Sequence, residues 1–291
     1  MEPRWYHLSL GLRARGARMM GELDKFRMDG RVAVVTGGAG LLGAEFCRTL
    51  AEAGATVAVA DLDAKKAEAV AAGLRAAGGN AAGIALDVTR PESVNQAVAS
   101  VRKDHGRVDV LVNSAALDPK FDAAHHEKAV NAFEDYPLEM WNQALSVNLT
   151  GMFLCSQAVS RLMLEQGQGV IINLCSTYGL VGPDQRIYER PGKPRQFKPV
   201  YYSVTKAGVL GMTRYLATYY AGTGLRVNAL TPGGVFNDHD EEFVAHYSAR
   251  TVLGRMARRD EMNGALLFLA SDASSYMTGS NLVVDGGWTA W

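Results

Sequence analysis

Short apolar runs rich in β-branched residues recur along the chain, separated by longer stretches with helical spacing. Arg31-Val32-Ala33-Val34-Val35 is the first run, followed by 56–60, 80–86 and 108–112. Runs at 169–174, 225–230 and 281–284 complete seven expected strands. Helical periodicity covers 44–53, 64–77, 91–105, 138–165, a segment carrying Tyr202 through to Tyr220, and 260–269. Gly54, Gly78 and Gly106 stop the first three helices. Strands alternating with helices in this way build a parallel sheet covered on both faces, so the expected fold class is α/β. Right-handed crossovers then place every strand's C-terminal end on one rim, where ligands bind.

That rim collects the unusual residues. The first strand runs directly into Thr36-Gly37-Gly38-Ala39-Gly40-Leu41-Leu42-Gly43 and then a helix. Strand, glycine turn, helix is the setting of a dinucleotide fingerprint. Gly37 permits the tight turn, Gly40 lets backbone approach a pyrophosphate, and Gly43 allows close helix–strand packing. N–H groups at the helix start would bind the phosphate. A plain glycine turn is the competing reading. Asp61 closes the second strand about twenty residues further on, where a carboxylate accepts both hydroxyls of an adenosine ribose and repels a 2′-phosphate. No Arg or Lys lies between Gly37 and Gly43, so the expected cofactor is NAD. Asp61 would otherwise cap the helix from Ala64, a role open equally to Asp63.

Tyr202 and Lys206 stand four apart on a helix and share a face. A free phenol titrates near ~10, and a neighbouring ammonium favours the phenolate, so the pair reads as a tuned acid/base. Ser176 follows the fifth strand, with Thr177 beside it as a rival for the same position; either also suits a turn or cap. Asn148 lies inside a helix among apolar neighbours, which argues for burial with partnered amide atoms over a solvent-facing role.

From about Asp29 to the C-terminus these motifs resemble the short-chain dehydrogenase/reductase family in its compact, single-domain branch. The resemblance implies a Rossmann-type doubly wound seven-stranded parallel sheet with helices on both faces, formed by residues 28–291. It implies cofactor contacts at Gly37, Gly40, Leu41, Leu42, Gly43, Asp61 and Leu62, at Asp87 and Val88 for the adenine, and at Asn113, Ser114 and Ala115 along the cleft. Pro232, Gly233 and Val235 would lie against the nicotinamide, with Tyr202 and Lys206 also touching the cofactor. The implied reaction interconverts a secondary alcohol and a ketone by hydride transfer. Tyr202 would be the general acid/base and Lys206 would lower its pKa and hold ribose hydroxyls. Ser176 would orient the substrate oxygen, and Asn148 would bend its helix and hold a relay water. The family also implies a homotetramer or dimer, paired through the helices carrying Asn148 and Tyr202. The chain departs from the branch at Leu41, which replaces a middle glycine and gives the spacing of the extended branch. Ser114 and Ala116 replace Asn and Gly, and Asn237 stands where a Thr is usual.

Composition narrows the function further. The 291 residues carry 30 basic and 30 acidic side chains, which gives no basic footprint for nucleic acid. No apolar run approaches the ~20 residues of a membrane span. Cys47, Cys155 and Cys175 lack disulfide or metal spacing and read as buried free thiols in a reducing, cytoplasmic compartment. His125-His126 in the long connection after Ala116 reads as solvated loop, so no metal is expected. The segment 183–199 is longer than the family's and holds Arg186, Arg190, Lys193, Arg195 and Lys198 against Asp184 and Glu189. It would clamp an anionic substrate such as a phosphorylated sugar, or serve as a solvated loop or subunit contact. Residues 237–256 are expected to form a mobile lid. Residues 1–27 read as a non-core extension, with an acid-poor amphipathic targeting segment as the alternative. Two rival functions remain: a sugar epimerase or dehydratase with tightly held NAD, hinted by the glycine spacing, and a non-catalytic dinucleotide sensor, against which Tyr202, Lys206 and Ser176 all stand. The Leu41 turn, Asp118-Pro119-Lys120-Phe121, the basic segment and the Trp288-Thr289-Ala290-Trp291 end are also similar to oxidoreductases of bacterial surface-sugar and flagellin modification.

Overall fold

The computed structural model describes residues 21–118 and 131–291. The strands are β1 (Val32–Thr36), β2 (Thr56–Asp61), β3 (Asn80–Ala85), β4 (Val110–Asn113), β5 (Gly169–Leu174), β6 (Leu225–Pro232) and β7 (Asn281–Val284). The helices are α1 (Leu41–Glu52), α2 (Ala64–Ala76), α3 (Pro91–His105), α4 (Leu138–Leu145), α5 (Met152–Gln166), α6 (Val200–Tyr219), α7 (Glu241–Ser248) and α8 (Asn263–Ala270). All seven strands pair in parallel in the order β3-β2-β1-β4-β5-β6-β7. The order reverses at β1/β4, which opens a ligand crevice at the strand C-termini.

Side-chain alternation along the strands feeds two cores. Val35, Val59 and Ile172 face one side with Phe46 and Leu50 of α1 and Leu266 and Leu269 of α8. Val34, Leu111 and Ile171 face the other with Val94 and Val101 of α3 and Val159 and Leu162 of α5. Every residue of β1, β4 and β5 is buried, so these strands read as mainly apolar runs, with Thr36, Asn113 and Asn173 as buried polar residues at or near their C-terminal ends.

Three elements differ from the sequence expectation, each for a local reason. Helix α1 begins at Leu41, three residues early, because Gly40 is extended (φ −79°, ψ 177°) and serves as N-cap. The single helix expected over 138–165 is interrupted by a π-helical turn, Ser146–Gly151, between α4 and α5. Inserted residues of this kind gather at functional sites, and this one carries Asn148. The expected lid contains α7, whose Phe243 and Tyr247 sit with Met256 in an aromatic cluster with Tyr178, Tyr188 and Trp288.

Met28 is fully buried in the first core, while the 3-10 turn Glu22–Phe26 just before it buries nothing. Most of the expected 1–27 extension and the His125-His126 segment lie outside the described residues.

Candidate active site

The glycine turn is held shut by backbone. Gly37 takes φ +63°, and a Cβ there would lie 2.8 Å from the Ala115 Cα. A Cβ at Gly43 would fall 2.0 Å from the Gly37 carbonyl oxygen, so α1 can start directly over the turn only with glycine in its first turn. The N–H groups of Leu41, Leu42 and Gly43 have no intrahelical acceptor at this helix start and face the crevice end of the sheet. The Gly43→Ala variant is expected to lower stability by roughly 1–3 kcal/mol, as overpacking does, and to weaken dinucleotide binding. Thermal melts with and without NADH check both effects.

Asp61 is not a helix cap. Asp63 caps α2, accepting from the N–H groups of Lys65 and Lys66 at 3.1 Å each. Asp61 instead accepts from Ala39 N–H of the glycine turn (3.1 Å) and from Asp63 N–H (3.1 Å). Each carboxylate oxygen retains acceptor capacity. Leu62 beside it is 75% exposed at the crevice margin. Asp87 accepts from Thr89 N–H (2.9 Å) and Thr89 Oγ1 (2.6 Å), which holds its carboxyl below the usual range, and Val88 is buried next to it. Thr36 Oγ1 accepts from the N–H groups of Ser114 and Ala115, tying the ends of β1 and β4 together. The side chain of Asn113 points away from the crevice. It donates to Ser156 Oγ (3.0 Å) and Asn173 Oδ1 (2.9 Å), and Asn173 donates in turn to Thr213. The Asn113 Nδ2 is thus used within the fold, while its buried Oδ1 has no hydrogen-bond partner among the described residues. On the other side of the crevice Pro232 is buried and Gly233 leaves no room for a Cβ, which would sit 2.7 Å from the Asp285 Cα. Val235 bridges to Ala257. These features fit a dinucleotide: a glycine cradle closed by backbone, a free helix start and an acid at the next strand end.

Tyr202 and Lys206 share one face of α6, as their spacing requires. The Ser176 side chain lies beside the Tyr202 phenol and favours its charged form. Ser176 is extended and its Oγ accepts from Tyr178 N–H at 3.3 Å. Thr177 is buried beside Tyr247, away from the Tyr202 phenol that Ser176 adjoins. The Lys206 ammonium is buried and donates to the Leu174 carbonyl at the end of β5 at 2.8 Å. Its distance from the Tyr202 ring centroid is 5.8 Å.

One electrostatic expectation is corrected. Lys206 was expected to pull the Tyr202 pKa down, but burial pushes this phenol well above its ordinary value, helped by the Asp118 carboxylate. The neighbouring Ser176 side chain opposes the rise. The Tyr202 residue as a whole is half-buried. Burial also lowers the Lys206 pKa, so its charge is itself disfavoured there.

Asn148 is buried, and its amide is fully used. Oδ1 accepts from Leu117 N–H (2.7 Å), and Nδ2 donates to the Leu117 carbonyl (3.2 Å) and Thr205 Oγ1 (3.2 Å). The side chain thus pins the post-β4 segment to α6, and Oδ1 retains one acceptor position.

Four of the five cations of the segment 183–199 stand in ion pairs. Arg186 pairs with Asp184 (2.8 Å), Arg190 with Asp240 (2.8 Å), Arg195 with Glu189 (3.0 Å) and Lys198 with Asp118 (2.5 Å). Arg250 adds a second bond to Asp184 at 2.6 Å. These pairs partly offset the basic excess that the anionic-clamp expectation relied on.

Sequence reasoning missed four aromatic and charged neighbours of Tyr202. The ring of Tyr178 meets Tyr202 edge-on at 6.4 Å, and Tyr188 donates to the Tyr178 hydroxyl at 3.2 Å. Tyr247 accepts from Gly234 N–H, and a Cβ at Gly234 would strike its ring at 2.4 Å. The second glycine of Pro232-Gly233-Gly234 was the available signal. Lys198 Nζ sits 4.0 Å from the Tyr202 ring centroid.

Comparison with known proteins agrees with this geometry. Residues 38–289 match the family model described as enoyl-(acyl carrier protein) reductase. The chain is 38% identical over 269 residues to D-threitol dehydrogenase of Mycolicibacterium smegmatis, covering 91% of this chain and 95% of that one. It is also 38% identical over 272 residues to galactitol 2-dehydrogenase (L-tagatose-forming) of Cereibacter sphaeroides, covering 91% and 98%. Among solved structures, a gluconate 5-dehydrogenase of Burkholderia cenocepacia in complex with NADP and tartrate superposes with a TM-score of 0.82 at 31% identity, covering 93% of this chain and all of that one. With the compact seven-stranded fold, the rim geometry and these matches together, the chain belongs to the short-chain dehydrogenase/reductase family and is an oxidoreductase interconverting a secondary alcohol and a ketone.

Proposed function

We propose that this oxidoreductase uses NAD and that Tyr202 is its general acid/base. The observation carrying the reading is that Tyr202 and Lys206 share one face of α6, with the Lys206 ammonium buried and donating to the Leu174 carbonyl at 2.8 Å and Ser176 beside the phenol, on the rim that also holds the glycine turn. When bound, the nicotinamide supplies the hydride acceptor or donor. In alcohol oxidation Tyr202 Oη takes the hydroxyl proton, and in ketone reduction it returns one. Ser176 Oγ orients the substrate oxygen against Tyr202. Lys206 holds the ribose side of the dinucleotide and places positive charge behind the phenol. Asn148 fixes the Leu117 backbone against Thr205 of α6 and so keeps the crevice wall in register. Gly37, Gly40, Leu41, Leu42 and Gly43 would hold the pyrophosphate, Leu62, Asp87 and Val88 the adenine end, and Ser114, Ala115, Pro232, Gly233 and Val235 the crevice walls.

Asp61 supports NAD over NADP, since its carboxylate at the end of β2 would repel a 2′-phosphate. The wild type is expected to show the higher kcat/KM with NAD. The Asp61→Ala variant should lose about 10- to 100-fold in kcat/KM for NAD, the range of one charged hydrogen bond, while NADP changes little or improves. A wild type that strongly prefers NADP would overturn this assignment.

Exposed Phe153 on α5 and Val204, Tyr215 and Tyr219 on α6 support self-association as a homotetramer or dimer. No helix among the described residues is long and apolar enough to cross a membrane. Three buried free cysteines support a cytoplasmic setting. Screening secondary alcohols for NADH fluorescence tests the whole reading. Substrate conversion without net NADH would favour the epimerase or dehydratase alternative.

A further inference from the structure

The long segment before α6 delivers one charged side chain to the reaction centre. Lys198 lies two residues before α6 begins, and its Nζ stands over the Tyr202 ring at 4.0 Å. Its side chain is only 8% exposed, whereas that of its partner Asp118 is 56% exposed. The position is built from several directions. Gln185 Oε1 accepts from Lys198 N–H at 2.8 Å, and Gln185 Nε2 donates back to the Lys198 carbonyl at 3.4 Å. Ile187 and Tyr188 of the same segment are buried beside it in the aromatic cluster that includes Tyr178 and Tyr202. Asp118 comes from the segment after β4, whose preceding residue Leu117 is locked in both backbone directions by Asn148.

The pair has no net charge, and that decides what it can recognise. An ammonium offers only donors and a carboxylate only acceptors, while an alcohol hydroxyl is both. A lysine and an aspartate 2.5 Å apart therefore complement a hydroxyl, or two adjacent ones, with donor matched to acceptor. A substrate carboxylate placed there would gain Lys198 but face Asp118, and like charges at short range are unfavourable. The three arginines of the segment are drawn into ion pairs of their own at Asp184, Asp240 and Glu189.

We infer that the Asp118–Lys198 pair is a specificity site that selects a neutral polyhydroxylated substrate by holding a second hydroxyl next to the carbon that reacts at Tyr202. This rests on the proposal that Tyr202 performs the chemistry. The pair acts as a positioning device: it fixes which hydroxyl of a polyol faces Tyr202 and Ser176, while the aromatic wall of Tyr178 and Tyr188 lies against the carbon chain.

The test compares three four-carbon probes in wild type and variants: a tetritol, butan-2-ol, and the polyhydroxy acid related to the tetritol. In the Lys198→Met variant, the kcat/KM ratio of tetritol to butan-2-ol is expected to fall about 10- to 100-fold, chiefly through KM. Lys198→Arg should restore part of that ratio. In the Asp118→Asn variant, the ratio of polyhydroxy acid to tetritol should rise about 10-fold or more, because the site becomes net positive. Asp118 is largely exposed, so this second variant stays informative even if Lys198→Met folds poorly. Equal losses on tetritol and butan-2-ol, or an acid-to-tetritol ratio indifferent to Asp118→Asn, would overturn the assignment while leaving the dehydrogenase reading intact. A wild type inactive on every alcohol would remove the Tyr202 reading and this inference with it.

Discussion

Replacing Tyr202 with Phe is expected to reduce kcat by ~10²- to 10⁴-fold, the usual worth of one placed acid/base group, while NADH affinity stays within about twofold. The substitution removes a single oxygen. The ring that packs edge-on against Tyr178 and lies under Lys198 remains, so the crevice should keep its shape. What disappears is the hydroxyl beside Ser176. The pH profile adds a second readout. Because burial raises the Tyr202 pKa, the phenol is mostly protonated at neutral pH, which suits ketone reduction and handicaps alcohol oxidation. Oxidation by the wild type should therefore climb as pH rises into the alkaline range, and reduction should fall over the same range. The residual rate of Tyr202→Phe should lack this dependence. Single-turnover kinetics and NADH fluorescence titration separate the two effects, and a variant that keeps its turnover would show that the proton passes through another group.

Much of this site was readable along the chain, because its signals are local. The glycine turn, Asp61 and the Tyr202–Lys206 spacing each depend on a few consecutive residues whose periodicity or backbone freedom fixes geometry. The seven strands were readable for the same reason, since parallel strands buried on both faces are continuous apolar runs. The boundary errors at α1 and β6 arose where a cap or a rim turn decides, which periodicity does not report. The π-helical turn was invisible as such, although Asn148 marked its place: its cause is a set of bonds to Leu117 and Thr205, 31 and 57 residues away. The pairing of the basic segment has the same origin. Its cations read as unpaired along the chain until Asp118 and Asp240, 80 and 50 residues distant, are brought against Lys198 and Arg190. Local charge counting cannot see partners supplied by topology. The pKa of Tyr202 follows suit, because spacing reveals the neighbouring lysine but not the burial that outweighs it.

Lys206→Met should produce the complementary pattern to Tyr202→Phe. Its kcat/KM is expected to drop by ~10²- to 10³-fold, as when one preorganised donor is removed from an active site, and NADH binding should weaken about 10-fold as well. The reason lies in where the ammonium sits. It is buried under α6, donates to the Leu174 carbonyl at the end of β5, and has further donors that can reach toward the crevice. Methionine fills a similar volume but leaves that carbonyl without its donor, which should lower stability by about 1–3 kcal/mol. A thermal melt must therefore accompany the kinetics, with rates taken well below the transition. The contrast between the two variants carries the assignment. If Lys206 holds the ribose, only its loss weakens NADH, and Tyr202→Phe does not. If Lys206 served solely to bias the phenol, both variants would bind NADH like the wild type, and the Lys206→Met deficit in alcohol oxidation would shrink as rising pH deprotonates Tyr202 without help. A deficit that persists at alkaline pH together with weakened NADH binding would establish Lys206 as a cofactor-holding residue first and an electrostatic one second.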